Sequence, residues 1–171
     1  NMNKLKTTQN VFAALLTGAI STIASSAIAQ EVLKWGHVYE SATPYHQAAL
    51  MAATEFEAAT NGRYKIEVFP ASQLGKEVAL NEGLSLGTVD IIYTGVAFMG
   101  QSYPPIAISD FPFTLRDFDH WAAYSESDLF SELAQAYTGI TGNHVVNLTY
   151  YGARHVTANK PILTPADMVD L

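Results

Sequence analysis

Cysteine is absent from all 171 residues, so neither a disulfide framework nor a thiolate metal site is available to this chain. Basic residues are scarce as well: nine lysines and arginines face sixteen aspartates and glutamates, a formal charge of −7. A general negative field repels phosphate backbones and anionic lipid, which argues against nucleic acid as a partner but leaves room for a local positive spot that takes a small anion. Also missing is an undiluted apolar run of the roughly 20 residues that a membrane span needs. The nearest approach, "VFAALLTGAISTIA" at residues 11–24, is interrupted by Thr17, Gly18, Ser21 and Thr22. What is present, 49% hydrophobic and 15% charged residues, is the composition of a globular domain that stands on its hydrophobic core.

Lys4 and Lys6 make a basic start, the apolar stretch follows, and Ala27-Ile28-Ala29 supplies small residues at a cleavage site. Residues 1–29 therefore read as a secretory signal peptide, with a mature start at Gln30, a periplasmic product and no membrane insertion after cleavage. Losing the two lysines leaves seven basic against sixteen acidic residues, a formal charge of −9.

From Glu31 onward, strand-like and helix-like segments alternate. "VLKWGHV", Val32 to Val38, reads as a strand closed by "ESATP". Thr43 is placed to cap a helix with Pro44 at its first position, and Tyr45, Ala48, Ala52, Phe56 and Ala59 give the spacing of one apolar stripe, ended by Asn61-Gly62. "RYKIEVF", Arg63 to Phe69, alternates as a second strand and "GKEVALNEGLSLG" as a helix closed by Gly87. "VDIIYT" reads as a third strand, apolar enough to be buried on both faces. Helical sequence runs from about Asp117 to Tyr137 with a break near Ser125, where Ser127 can cap a second piece. This order predicts an α/β fold, a mostly parallel sheet with flanking helices. Ligands in such sheets gather beyond the strand C-termini, here the loops "YESATPYH", "PASQLGKE" and "TGVAFMG".

Enzyme and metal chemistry find little support in the residues. The five histidines, His37, His46, His120, His144 and His155, form no H-x-x-x-H pair, and no G-x-S-x-G elbow occurs. Most are expected to be structural or surface groups. Gly75 opens a helix and can present backbone N–H groups to an anion, but a glycine there is common in ordinary helices. Tyr45 fits a ligand site and the core stripe equally well. Phe98, Phe111, Phe113 and Trp121 are expected to serve mainly as aromatic core.

Arg154 is harder to place. "YYGARHVTANKP", Tyr150 to Pro161, reads as a strand in which Arg154 shares a face with Val156 and Ala158. An arginine on an apolar face is costly to bury alone, so it reaches solvent, pairs with a carboxylate such as Asp110 or Glu40, or waits for an anionic ligand. Its planar guanidinium clamps a carboxylate with two parallel hydrogen bonds, which suits a small organic acid.

The blocks "TNGRYKIEVFPASQLGKEVALNEGLSLGTVDI", Thr60 to Ile91, then "DFPF" and "YYGARHVTANKPILTPADM", behind a signal peptide, resemble the substrate-binding subunit of tripartite ATP-independent periplasmic (TRAP) transporters. The resemblance runs from about Val32 to Leu171. It implies a receptor of two α/β lobes around a cleft that binds an organic acid, lacks catalysis and cofactor, and delivers its ligand to a sodium-driven membrane permease. The arginine of the family's G-x-R segment matches Arg154 and implies a role at the ligand carboxylate. Around it, Tyr39, Glu40, Tyr45, Gln73, Thr94 and Phe98, on the three loops, are the expected further contacts. Family members run to roughly twice this length, and a second carboxylate-gripping arginine follows the "PADM-x-x-L" segment, where this chain stops. Asn1 ahead of Met2 fits an unprocessed reading frame. The expectation is therefore an N-terminal part of a receptor: a leader over 1–29, the first lobe over 30–149, and over 150–171 a crossing segment with the start of a second lobe that is largely missing. Two other classes stay open on the residues alone, an exported hydrolase or lyase using His155 or His120 as base, and the ligand-sensing domain of a receptor.

The leader carries its own test. Exported protein sequenced from its N-terminus is expected to begin at Gln30, and an apolar segment retained in the membrane fraction would contradict that processing.

Overall fold

A computed structural model describes residues 29–169 of the chain. The expected leader and the approach to its cleavage site, residues 1–28, lie outside the described residues. Three parallel strands form the sheet, in the order β2-β1-β3. Strand β1 is Glu31–Gly36, β2 is Tyr64–Phe69 and β3 is Ile91–Ile92. The β1 to β2 ladder runs in register from Glu31 opposite Tyr64 to Gly36 opposite Phe69. On the other side of β1, only Trp35 and Gly36 pair with β3. Helix α1, Pro44–Ala59, connects β1 to β2, and α2, Glu77–Leu86, connects β2 to β3. The β-α-β-α-β order read from the sequence is the order of the fold.

Local chemistry explains most of the boundaries. Helix α1 starts at Pro44, whose missing N–H is harmless in a first turn, and ends where Asn61 and Gly62 take left-handed backbone angles. Thr43 occupies the cap position, yet its hydroxyl donates to the Glu40 carbonyl at 2.7 Å and so caps the loop instead of the helix. Gly87 closes α2 with φ 72°. After a short helix α3, Val96–Met99, and a 3₁₀ turn, Pro104–Asp110, come α4, Phe118–Ser125, and α5, Asp128–Thr141. The break near Ser125 is as expected, and Ser127 caps α5 by accepting from the Phe130 N–H at 3.1 Å.

Four further expectations require correction. The stripe of α1 that faces the sheet is His46, Ala49 and Ala53, one position round from the predicted one, whose Ala48, Ala52, Phe56 and Ala59 are exposed. Apolar side chains lie on almost every side of this helix, so periodicity does not choose a face, while small Ala49 and Ala53 permit close approach to the strands. The third strand is two residues long and half-buried, because it meets β1 only at that strand's end and no strand lies on its outer edge among the described residues. Tyr150 to Pro161 forms no strand. A strand needs a neighbouring backbone edge to take its N–H and C=O groups, and none is offered to this segment among the described residues. Finally, Phe111 is 60% and Phe113 100% exposed, on a loop that no helix or strand covers, so neither is core.

Two packing centres hold the fold. Met99, Ile106 and Tyr137 join α3, the 3₁₀ turn and α5, with Leu133 and Val145 against them. The other is the contact of α2 with the sheet, where fully buried Leu80 lies against Gly36. A Cβ on Gly36 would come 2.7 Å from Leu80 Cδ2, so glycine is what lets the helix sit this close. Gly36→Ala is expected to cost about 1–3 kcal/mol in denaturant unfolding, as overpacking does. In a Leu80→Ala background the same substitution is expected to cost less, because the obstructing methyl is gone; equal costs in both backgrounds would refute the contact.

Candidate functional site

All three strands point the same way, so the loops that leave their C-terminal ends meet on one side. Backbone hydrogen bonds lock the first loop to the second: the Ala71 N–H donates to the Tyr39 carbonyl at 2.8 Å and the Ser72 N–H to the His37 carbonyl at 3.1 Å. Holding those bonds puts Ala71 at φ 52° and Ser72 at φ 60°, left-handed angles that cost a side-chain-bearing residue about 1 kcal/mol or more. The third loop is tied to α2. Asn81 donates to the Thr94 hydroxyl at 2.8 Å and to the Glu77 carbonyl at 2.7 Å, while the Gly95 N–H donates to the Glu77 carboxylate at 3.1 Å. Between the loops lies an open groove of about 330 Å³ lined by Val38, Ser72, Lys76, Glu77, Val78 and Phe98. That volume falls within the range of small-molecule sites.

Beside the groove, tyrosines from four segments cluster. Tyr39 and Tyr45 stack at 4.5 Å between centroids, and Tyr45 stacks on Tyr151 at 5.7 Å. Tyr93 meets Tyr39 edge-on at 6.0 Å and packs on Trp35 at 5.0 Å. Burial, then the neighbouring Tyr151, Glu77, Tyr45 and Tyr93, push the Tyr39 phenol up to about 12, and burial also raises that of Tyr93. Both hydroxyls therefore stay protonated near neutral pH and remain able to donate.

Under the cluster, His37 is completely buried, and its Nε2 lies 3.1 Å from Nδ1 of His46. One ring N–H serves both of these nitrogens when the two rings are neutral. The other nitrogen of His37, Nδ1, has no hydrogen-bond partner. Burial, and then His46, hold His37 below the usual imidazole range, against a smaller opposing influence from the Tyr39 main chain.

Arg154 reaches this edge from the segment after α5. Its guanidinium lies 5.6 Å from the Tyr151 ring centroid and 3.9 Å from an Asp110 carboxylate oxygen, with the arginine side chain 82% exposed. Of the outcomes considered from sequence, solvent exposure and pairing with Asp110 both occur. So exposed a pair is worth roughly 0–1 kcal/mol, too little to fix the side chain.

The expected site residues thus fall into three groups. Tyr39, Tyr45 and, through Tyr151, Arg154 come together; Phe98 lines the groove and Thr94 is anchored behind it; Glu40 and Gln73 are exposed on the loops. The sequence reading passed over Glu77, Asn81, Tyr93 and Tyr151. Two carried a signal, since Tyr93 lies near the end of the apolar run "VDIIYT" and Tyr151 sits beside Gly152 in the arginine segment. The histidine contact carried none, because it depends on which face α1 turns to the sheet. Among the described residues there is no group of three or more side chains that could hold a metal ion, and no helix long and apolar enough to cross a membrane.

A parallel sheet whose strand ends carry an open groove and a tyrosine cluster has the build of one lobe of a periplasmic-type binding protein. The chain belongs to the bacterial extracellular solute-binding proteins, family 7, whose pattern matches residues 35–171. These are transport receptors and not enzymes. It is 31% identical over 156 residues to a solute-binding protein of Roseobacter denitrificans, covering 91% of this chain and 48% of that one. It is 28% identical to the sialic acid-binding periplasmic protein SiaP of Vibrio cholerae, covering 98% of this chain and 51% of that protein. A TRAP periplasmic solute-binding protein from Polaromonas, solved with D-erythronate, superposes with a TM-score of 0.62 at 30% identity, over 66% of this chain and 37% of that one. The chain spans about half the length of the curated relatives it matches.

The histidine pair predicts an acid-sensitive fold. An unfolded histidine titrates near pH 6.5 and His37 titrates lower when folded, so its contribution to stability is complete above about pH 6.5 and is lost as pH falls through the folded value. The thermal midpoint of the wild type is expected to drop between about pH 7.5 and 5, and that of His37→Gln to drop less over the same interval. Parallel slopes would refute the assignment.

Proposed function

We propose that this chain forms the first lobe, residues 30–149, and the crossing segment, residues 150–171, of a periplasmic receptor for a small organic acid. The leader over residues 1–29 exports it, and the receptor passes its ligand to the sodium-coupled membrane permease of a TRAP system. Arg154 takes the ligand carboxylate with its two-pronged guanidinium. Tyr39, Tyr45 and Phe98 supply aromatic walls, Thr94 a polar contact, and Glu40 and Gln73 the rim.

One observation carries the reading: an exposed guanidinium stands over Tyr151 at the edge where the strand-end loops converge, and its nearest carboxylate is 3.9 Å away on a surface residue. That is an available charge in an otherwise acidic chain. Of the relatives named above, one is a sialic acid-binding protein and another was solved with D-erythronate. The length relation to those relatives supports a second wall from further sequence, and exposed apolar residues such as Phe113, Val146 and Leu163 are consistent with it.

The 3.9 Å contact also favours a second reading, in which Arg154 serves only the fold by holding Asp110. Two substitutions in the complete receptor separate the readings. Arg154→Lys keeps the charge and loses the fork, and is expected to weaken acid binding by about 1.4–2.8 kcal/mol, ten- to a hundredfold by calorimetry, with the melting temperature unchanged. Asp110→Asn is expected to leave affinity equal or slightly improved. Unchanged affinity in Arg154→Lys, or a fold lost in both variants, would assign Arg154 to the structural pair.

A further inference from the structure

The aromatic side chains at the strand ends form a continuous path. Trp35 contacts Tyr93, Tyr93 contacts Tyr39 and Tyr45, Tyr45 stacks on Tyr151, and the Arg154 guanidinium lies over Tyr151. Exposure rises along it, from half-buried Trp35 and Tyr93 to Tyr151 at 60% and the Arg154 side chain at 82%. A carboxylate held by the guanidinium can lay its body beside the Tyr151 ring, where a flat apolar face gains most from such a neighbour. Parallel planes at Tyr39–Tyr45 and Tyr45–Tyr151, 27° and 20° apart, give the outer ring rigid backing.

The charges at this edge point the same way. Glu40 follows Tyr39 in the chain, Glu77 lies near enough to raise the Tyr39 phenol, and Asp110 faces Arg154. Against these stand Arg154 and Lys76, which lines the groove next to Glu77. A second ligand carboxylate would enter a rim whose acids already outnumber its cations, whereas hydroxyls or bare ring carbons meet no such penalty.

We propose, resting on the receptor reading above, that the ligand is a monocarboxylate with a ring-shaped, uncharged body, and that Tyr151, backed by Tyr45, is the specificity-determining residue. An aromatic ring and the C–H face of a pyranose share this chemistry. Flexible dicarboxylates and open-chain acids do not.

The test is calorimetric titration of the complete receptor with benzoate, D-glucuronate, D-erythronate and succinate. Benzoate or glucuronate is expected to bind at least about tenfold more tightly than both open-chain acids, the size of one good ring contact. Tyr151→Ala is expected to reduce that preference about tenfold and Tyr151→Phe to retain it, as a contact made by the ring face requires. Since Tyr151 is 60% exposed, the alanine variant is expected to keep the wild-type melting temperature. Tightest binding by succinate or erythronate overturns this inference and leaves the receptor reading intact, as does a preference untouched by Tyr151→Ala. Failure of all four acids to bind overturns the inference, and the receptor reading is then decided by the Arg154 and Asp110 variants against a wider set of acids.

Discussion

The direction of three strands determines where the loops of this chain meet. Because β1 lies between β2 and β3 and all run parallel, each strand releases its loop on the same side, at lateral spacings of about 5 Å. Groove and tyrosine cluster both follow from that arrangement. A parallel sheet demands crossover helices, and these must lie close to the strands for the loops to stay in place. Gly36 beneath Leu80 and the small Ala49 and Ala53 of α1 provide that proximity. The loops are then fastened sideways, through the main-chain bonds of Ala71 and Ser72 and through the Asn81 and Glu77 contacts to the third loop.

Against this rigid base the cationic element is loosely held. Arg154 follows α5 on a segment without regular structure and engages Asp110 only at 3.9 Å on the surface. An exposed ion pair contributes roughly 0–1 kcal/mol, whereas micromolar affinity corresponds to about 8 kcal/mol. One wall and one arginine in water do not reach that. Under the proposed function, enclosure makes up the difference, because removing water strengthens each polar contact to the acid and adds apolar contact with the rings. The proposed function therefore depends on a second wall closing over the strand ends.

The sequence showed the elements clearly where a local cause sets them. Pro44, Asn61-Gly62, Gly87 and Ser127 each start or stop a helix through their own backbone or side-chain chemistry, and the structure places those boundaries as read. It failed where the cause is tertiary. Periodicity could not choose the buried face of α1, since nearly every side is apolar, and the His37–His46 contact was hidden with it. The β-branched and aromatic run from Tyr150 has the composition of a strand but finds no edge to join among the described residues. The candidate site divided in the same way: the strand-end rule found the loops, and with them Tyr39, Tyr45, Thr94 and Phe98, while the roles of Glu77, at the end of the second loop, and of Asn81 emerged only once α2 was seen to hold the third loop.

In the proposed receptor the strand-end loops and Arg154 make one carboxylate site. A crystal structure of the complete receptor with its acid tests it most directly. The ligand carboxylate is expected in two hydrogen bonds to the Arg154 guanidinium at about 2.8 Å each, with the body of the acid against the tyrosine cluster and Arg154 released from Asp110. An acid bound elsewhere, with Arg154 still facing Asp110, would contradict it.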